Sequence, residues 1–259
     1  MRSSLALPIL FLLSLGSAHA AIIEGIEAKS DEFPEVFAIS VEGLDLESRR
    51  TLCTAVLVHP EVLLTSAHCL PRDESIPVQI LSGTDVRGSE PVATSIRTIR
   101  HTTFDRTQDQ ILSTGYDFGL ILLSSPLSGV KPARLASIQD ETDLATIYQD
   151  GVTAVGYGGK NTIQIDPSTG VKRWGDTRVA ESTKDTFSTL GPHSALSRGD
   201  SGGPAYLFDP DGRRRLVGIA SGSPSDEITE VSGRPTVSLY AGLRPAIVDW
   251  IENSSGKTL

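Results

Sequence analysis

The hexapeptide Gly199–Pro204 places a serine among glycines. Because glycine adopts backbone conformations that a Cβ forbids, Gly199 and Gly202 permit a tight turn in which the backbone amides of Gly199 and Ser201 point at one spot. Two converging amides stabilise the negative charge that develops on an oxygen atom during acyl transfer. The segment therefore indicates a serine nucleophile with its own oxyanion hole, although glycine-rich turns also occur without a chemical role.

Two segments upstream of this turn supply the groups that a serine nucleophile requires. His68 follows the apolar run 62–64, and Asp117 precedes the apolar run 120–123, so both side chains can be held rigidly beside buried strands. A serine hydroxyl attacks poorly until a neutral imidazole accepts its proton, and the imidazole needs an acceptor that fixes its tautomer. We therefore assign His68, Asp117 and Ser201 as a candidate catalytic triad.

The order of the triad residues along the chain distinguishes the known classes of serine hydrolase. Subtilisin-like enzymes run Asp, His, Ser and α/β-hydrolases run Ser, Asp, His, whereas this chain runs His, Asp, Ser, which is the chymotrypsin order. On these motifs the sequence resembles the secreted serine proteases of the trypsin/chymotrypsin type. The resemblance covers nearly the whole chain, from Ile22–Gly25 through Val155–Gly158 to Val248–Ile251.

The elements that must position the triad are mostly strands. Short apolar runs separated by clusters of Gly, Pro, Ser and Asp predict an antiparallel all-β fold. Near the end of the chain, Pro245 suits a first helical turn, and Ile247 and Ile251 recur at helical spacing. We expect two six-stranded β-barrels and a C-terminal α-helix, as the resemblance also implies. Residues 22–130 would carry His68 and Asp117, residues 131–259 would carry Ser201, and the cleft between them would be the active site.

Composition and charge argue against some classes of binding partner. The chain has 259 residues, 39% of them hydrophobic, and a net charge of −9, which argues against nucleic acids and anionic membranes as partners. Residues 1–20 combine Arg2, an apolar stretch over 5–15 and the small-x-small pattern Ala18–Ala20, which predicts a cleaved signal peptide and export. The apolar stretch is shorter than the roughly 20 residues that a membrane-spanning helix needs.

The chain has two cysteines, Cys53 and Cys69. An even number in an exported protein suggests a disulfide, with two free thiols as the alternative. The resemblance favours pairing, because the bridge beneath the histidine loop of the family joins positions that match these two. Ser197 stands where the family often has a cysteine, which suggests a lightly cross-linked member of bacterial type.

The resemblance also implies a primary specificity pocket. Its floor lies six residues before the nucleophile, at Ala195, and the residues expected to contact substrate are Ala195, Leu196, Arg198, Ser221, Gly222 and Ser223. The segment 221–223 would pair with the substrate backbone as an added strand, and Ser221 is a candidate hydrogen-bond partner of Asp117.

The pocket residues lack a carboxylate that would bind lysine or arginine. We therefore expect cleavage after small or medium apolar residues. The alternative is a trypsin-like preference for basic residues, supplied by Asp226, Glu227 or Glu230 folding over the pocket. Arg198 at the rim of the pocket would favour substrates with acidic groups nearby, or it would be a solvated cation without effect on specificity.

In this family a free amino group pairs with the aspartate that precedes the nucleophile, and the ion pair orders the oxyanion hole. The matching residues here are Ile22 and Asp200. No basic residue precedes Ile22, so a trypsin-like activator is not expected. The small-x-small pattern favours cleavage after Ala20, which would leave Ala21 to be trimmed, whereas cleavage after Ala21 would free Ile22 directly.

The sequence thus predicts a secreted, monomeric serine endopeptidase that forms an acyl-enzyme on Ser201. Its expected partners are protein or peptide substrates and protein inhibitors. We expect no cofactor and no metal, because His59, His101 and His193 have no paired ligand spacing, and His101 is expected in a solvated loop. The alternatives are an inactive binding or regulatory protein with a protease fold and an esterase-like or highly selective processing hydrolase.

Overall fold

The structure is a computed structural model. It describes residues 22, 25–42, 50–104, 115–136, 151–160, 167–183, 185–191, 195–209, 211–222 and 236–259. Strands β1 to β7 span Ile26–Glu27, Val36–Glu42, Arg50–His59, Val62–Thr65, Val78–Leu81, Ala93–Arg100 and Gly119–Leu123. Strands β8 to β13 span Val152–Gly156, Arg173–Ser182, Thr186–Gly191, Pro204–Phe208, Arg214–Gly222 and Thr236–Gly242. Helix α1 spans Pro245–Ser255, and a single turn of 3-10 helix spans Ala67–Cys69.

The first barrel closes in the order β2-β3-β4-β7-β6-β5. Strands β4 and β7 are antiparallel, with Thr65 at the end of β4 opposite Gly119 at the start of β7. Because the chain leaves β4 where it enters β7, the residues just after β4 and just before β7 meet at one rim of the barrel. This register brings His68 next to Asp117.

The second barrel is built from β8 to β13. Its sheet runs β1-β9-β10-β13-β12-β11-β8, and a further pairing of β8 with β9 closes the six strands, with β1 added at the edge of β9. Strand β11 pairs with both β8 and β12, so the turn that precedes β11 is anchored from two sides. Ser201 lies in that turn. The predicted fold of two six-stranded antiparallel barrels and a C-terminal helix is confirmed.

Alternation along the strands explains how the barrels pack together. On β4, Leu63 points into the core of the first barrel, whereas Val62 and Leu64 belong to a second apolar cluster. That cluster also contains Tyr206 and Leu216 of the second barrel. Since neighbouring side chains of a strand face opposite sides, one strand serves both the barrel interior and the interface between barrels.

Helix α1 follows the signals in the sequence. Pro245 occupies its first turn, and Gly256 ends it in the left-handed conformation, with φ of 67°. The side chains of Ile247 and Ile251, one turn apart, are buried in the cluster between the barrels. Within the described ranges, no helix is long and apolar enough to cross a membrane.

The crossing from one barrel to the other runs through the segment 133–136. The amide of Ala133 donates to the Leu57 carbonyl on the first barrel, and the amide of Ala136 donates to the Leu216 carbonyl on the second. The domain boundary at residue 130 stays a prediction. The predicted signal peptide, residues 1–20, lies outside the described residues.

Candidate active site

The His68 and Asp117 side chains are paired at the rim of the first barrel. His68 Nδ1 lies 2.7 Å from Asp117 Oδ2, and the His68 backbone amide donates to Asp117 Oδ1 at 3.0 Å. The two contacts engage both carboxylate oxygens and fix the imidazole relative to its own backbone. With an ionised carboxylate as acceptor, the proton of the ring resides on Nδ1, and Nε2 is left as the basic nitrogen.

Asp117 is ionised despite its burial. Its side chain is almost fully buried, which opposes the charged form, but the His68 imidazole and the hydroxyl of Ser221 outweigh this and hold the pKa of Asp117 below its ordinary value. Ser221 Oγ, on β12 of the second barrel, donates to Asp117 Oδ2 at 2.6 Å. The hydrogen bond expected between Ser221 and Asp117 is therefore present, and it joins the two barrels.

The turn that carries Ser201 depends on its glycines. Gly199 and Gly202 have φ of 105° and 82°, in the left-handed region that favours glycine. A Cβ on Gly202 would lie 2.1 Å from Thr65 Oγ1, and one on Gly199 would lie 3.0 Å from the Cα of Gly158. Ser201 itself is partly exposed while Asp200 and Gly202 are buried, so the serine is the member of the turn that reaches the cleft.

The turn lies against the histidine segment. The carbonyl oxygen of Ser201 accepts a hydrogen bond from the backbone amide of Thr54 at 2.8 Å and lies 3.7 Å from Cys69 Sγ, the residue after His68. Cys53 and Cys69 form a disulfide with Cα atoms 6.2 Å apart, which confirms the predicted bridge. The structure thus brings the backbone of Ser201 next to the segment that carries His68, which is itself paired with Asp117.

Asp200 is wholly buried beneath the turn. Its Oδ1 accepts from the Gly158 amide at 2.7 Å, and its Oδ2 accepts from the Ser197 amide at 2.9 Å. Burial raises the pKa of Asp200 to about 7, and these hydrogen bonds only partly oppose the rise. The side chain of Ile22 is also wholly buried, in an apolar cluster of the second barrel. The ion pair between an Ile22 amino group and Asp200 stays a prediction.

Part of the predicted specificity pocket is described. Ala195 and Leu196 are buried, and the Leu196 amide donates to Ser238 Oγ on β13 at 2.9 Å, which ties the floor segment to the facing wall. Gly222 pairs with Leu239 at the end of β12, and Arg198 is exposed. Ser223 and the acidic residues Asp226, Glu227 and Glu230 lie outside the described residues, and so does His193.

Ser197 stands where the family often has a cysteine, and it forms hydrogen bonds instead of a disulfide. Its hydroxyl donates to the Gly159 carbonyl at 2.7 Å, and its amide donates to Asp200.

Cys53, His68 and Cys69 have potential metal-binding atoms within 4.8 Å of one another. Both sulfur atoms belong to the disulfide, so they are not thiolate ligands.

The expectation that His101 is solvated is wrong. Its side chain is 9% exposed, with ring centroids 4.9 Å from Tyr116 and 4.8 Å from Trp250. Burial and the nearby Arg244 lower its pKa. Its aromatic neighbours come from distant parts of the chain, so the polar residues beside His101 in the sequence gave the wrong signal.

Arg244, which precedes α1, fixes the segment in front of Asp117. Its Nη2 donates to the Gly115 carbonyl at 3.0 Å, its Nη1 lies 2.9 Å from Asp185 Oδ1, and its guanidinium lies 4.6 Å from the centre of the Tyr116 ring. The start of the C-terminal helix thus holds the loop that delivers the triad carboxylate.

Sequence reasoning missed three buried hydroxyls near the cleft, those of Thr54, Thr65 and Ser66. Thr65 Oγ1 donates to the Thr54 carbonyl and Ser66 Oγ donates to the Ala220 carbonyl on the second barrel, both at 2.7 Å. Their only signal in the sequence is that hydroxyl residues interrupt or follow apolar strands.

Comparisons with known proteins agree with this fold. The family model described as Trypsin matches residues 22–251. A collagenase from Hypoderma lineatum is 28% identical over 254 residues, covering 91% of this chain and 87% of the collagenase. A solved structure titled HL collagenase superposes with a TM-score of 0.69 at 23% identity, covering 92% of this chain and 100% of that chain.

Proposed function

Since the chain belongs to the trypsin family of serine proteases, we propose that it is an endopeptidase that cleaves peptide bonds through Ser201, His68 and Asp117. The observation that carries the proposal is the 2.7 Å contact between His68 Nδ1 and Asp117 Oδ2, at the rim that faces the Ser201 turn. It leaves the other ring nitrogen free to act as the base for the serine hydroxyl.

The reaction would proceed through an acyl-enzyme. His68 Nε2 takes the proton of Ser201 as Oγ attacks the carbonyl carbon, and the imidazolium returns that proton to the leaving amine when the C–N bond breaks. Water, deprotonated by the same nitrogen, then hydrolyses the ester. Asp117 stays ionised and stabilises the imidazolium, which its lowered pKa supports.

The oxyanion hole would be formed by the amides of Gly199 and Ser201. The amides of Asp200, Gly202 and Gly203 donate to backbone carbonyls, whereas those of Gly199 and Ser201 donate to no acceptor among the described residues. Both φ values that permit this turn belong to glycines. Two unused amides on either side of a buried residue are the donors that a tetrahedral oxyanion requires.

Small or medium apolar residues would be preferred before the cleaved bond. The uncharged Ala195, Leu196 and Ser238 support this preference. The Hypoderma lineatum relative is named a collagenase, which supports a protein substrate.

Activation would require a free amino group at Ile22. Two observations favour this step: Ile22 is already buried in the second barrel, and Asp200 has only neutral groups as hydrogen-bond donors. An ammonium group beside Asp200 would favour its ionised form.

We further propose that residues 1–20 direct export and that the protein acts outside the cell as a monomer. The disulfide between Cys53 and Cys69 supports an oxidising compartment.

The experiment pairs a fluorophosphonate probe with a peptide library. The secreted protein should be labelled on Ser201 and should cleave library peptides, whereas Ser201→Ala should do neither, with a loss of about 10⁶ in kcat. Equal thermal stability of the two proteins is the control for folding. Absence of both labelling and cleavage would favour the binding protein with a protease fold. Labelling without peptide cleavage would favour an esterase, and dominant cleavage after lysine or arginine would refute the pocket argument.

A further inference from the structure

Thr54 connects the first barrel to both ends of the nucleophile turn. It is wholly buried on β3, next to the disulfide residue Cys53. Its hydroxyl donates to the Gly199 carbonyl at 2.7 Å, and its backbone amide donates to the Ser201 carbonyl at 2.8 Å. This contact was not expected from the sequence, because Thr54 and Gly199 are 145 positions apart.

The two carbonyls held by Thr54 alternate with the two amides assigned to the oxyanion hole. Each peptide group is planar and joins the carbonyl of one residue to the amide of the next, so the two held carbonyls fix the planes between residues 199 and 200 and between residues 201 and 202. These planes flank the plane that carries the Ser201 amide, and the first of them also adjoins the plane that carries the Gly199 amide. Gly199, at φ of 105°, has a backbone that glycine can rearrange at low cost. The hydrogen bond from Thr54 opposes rotation of the peptide plane between residues 199 and 200, which would change the orientation of the Ser201 amide relative to the Gly199 amide.

The hydroxyl of Thr54 is itself held in place. It accepts a hydrogen bond from the Tyr157 amide at 3.1 Å, and the Thr54 carbonyl accepts one from Thr65 Oγ1. The hydroxyl therefore accepts a hydrogen bond from Tyr157 and donates one to Gly199, so its orientation is fixed. Removal of the oxygen would leave a buried amide and a buried carbonyl without this partner.

We propose that Thr54 is a positioning residue, which holds the Gly199 carbonyl from the opposite barrel and so keeps the amides of the oxyanion hole aimed at the substrate. The inference rests on the proposed protease function and adds a residue to it. Thr54 acts through the turn and does not touch the substrate.

The test compares Thr54→Val, Thr54→Ser and Thr54→Ala in the mature protein. Valine keeps the volume and removes the hydroxyl, whereas serine keeps the hydroxyl and removes the methyl group. We expect kcat to fall about 10- to 100-fold in Thr54→Val with KM changed less than about 3-fold, since removal of a complete oxyanion-hole donor costs about 10²–10³. Thr54→Ser should retain at least about a third of the wild-type kcat.

A second measurement separates positioning from general destabilisation. The affinity for a peptide boronate, which forms a tetrahedral adduct with the serine, should fall in parallel with kcat/KM, whereas the affinity for a product peptide should not change. Thr98→Val, at a buried threonine of β6, is the matched control and should leave kcat unchanged.

Equal kcat in wild type and Thr54→Val, or equal losses in Thr54→Ser and Thr54→Ala, would overturn the positioning role. If Thr54→Val does not fold, the serine and alanine variants alone decide the question. A wild-type protein that is inactive toward both the probe and peptides would instead overturn the protease function, and with it this inference.

Discussion

Asp117 and Asp200 are two buried carboxylates on either side of the nucleophile, and their electrostatics are opposite. Asp117 is 1% exposed and Asp200 is 0% exposed, so burial disfavours the charge of both. Asp117 faces the His68 imidazole and has a lowered pKa, whereas Asp200 faces two backbone amides and a hydroxyl, and its pKa is raised to about 7. Two backbone amides, a hydroxyl and the nearby charge of Arg173 thus do not compensate for the complete burial of Asp200, whereas the His68 imidazole and the Ser221 hydroxyl do so for Asp117.

Of the substitutions that test this comparison, the one at Asp117 should have the largest effect. Asp117→Asn places an amide where His68 Nδ1 donates, which favours the wrong ring tautomer and removes the stabilisation of the imidazolium. We expect kcat to fall about 10⁴-fold with little change in thermal stability. Steady-state kinetics and a melting curve check this, and a loss under 10-fold would mean that Asp117 does not orient the base.

The next effect tests whether Asp200 acquires a cation in the mature enzyme. Loss of one partner from a buried ion pair costs about 3–5 kcal/mol, so Asp200→Asn should reduce kcat/KM by about 100-fold or more when Ile22 is the first residue. Mass spectrometry establishes the first residue of each preparation. Full activity with Ala21 retained, or in Asp200→Asn, would show that the turn is ordered without this pair.

Ser221→Ala should have a smaller effect. Asp117 keeps both contacts with His68, so only the 2.6 Å hydrogen bond from the second barrel is lost. We expect a decrease in kcat/KM of about 10-fold, corresponding to roughly 1.5 kcal/mol for a hydrogen bond to a charged group. Thr98→Val again serves as the control, and an effect as large as that of Asp117→Asn would argue that Ser221 has a separate role in the reaction.

The smallest expected effect is the dependence of thermal stability on pH that Asp117 and Asp200 cause. It is measured in the protein that retains Ala21. Asp117, with its lowered pKa, contributes stability above its ordinary value of 3.8, and this is lost as pH falls through the folded value. Asp200 contributes in the opposite sense: its stabilisation is complete below 3.8 and is lost as pH rises through about 7.

Melting curves between pH 3 and pH 9 should therefore separate the two carboxylates. Asp200→Asn should flatten the decline in melting temperature between pH 3.8 and about pH 7, and Asp117→Asn should reduce the decline on the acid side. Identical pH profiles for wild type and Asp200→Asn would contradict the raised pKa of Asp200.

The sequence was most informative where function depends on residue type and order. Local motifs assign His68, Asp117 and Ser201 as a candidate triad, and the register of β4 with β7 explains why the first two meet. The strand pattern and the start of α1 are also predicted correctly, because short apolar runs between turn residues and Pro245 are local signals. The disulfide is predicted from the family resemblance together with the number of cysteines.

Contacts between distant segments were not predictable. Thr54 is an ordinary threonine in a strand until the second barrel brings the Gly199 carbonyl to it. His101 was placed in solvent because its neighbours in the sequence are polar, whereas Tyr116 and Trp250 enclose it in the fold. Such contacts depend on how two barrels pack, which no local pattern encodes.

The contact of Arg244 with the loop before Asp117 has a consequence for biosynthesis. Ribosomes make the chain from its N-terminus, so the strands that carry His68 and Asp117 emerge long before Arg244, which reaches Gly115 and Tyr116 from the far end of the sequence. The loop before Asp117 therefore gains these contacts only after Arg244 has been synthesised. A nascent chain that ends before residue 244 can already contain His68, Asp117 and Ser201, but it lacks the contacts that fix this loop.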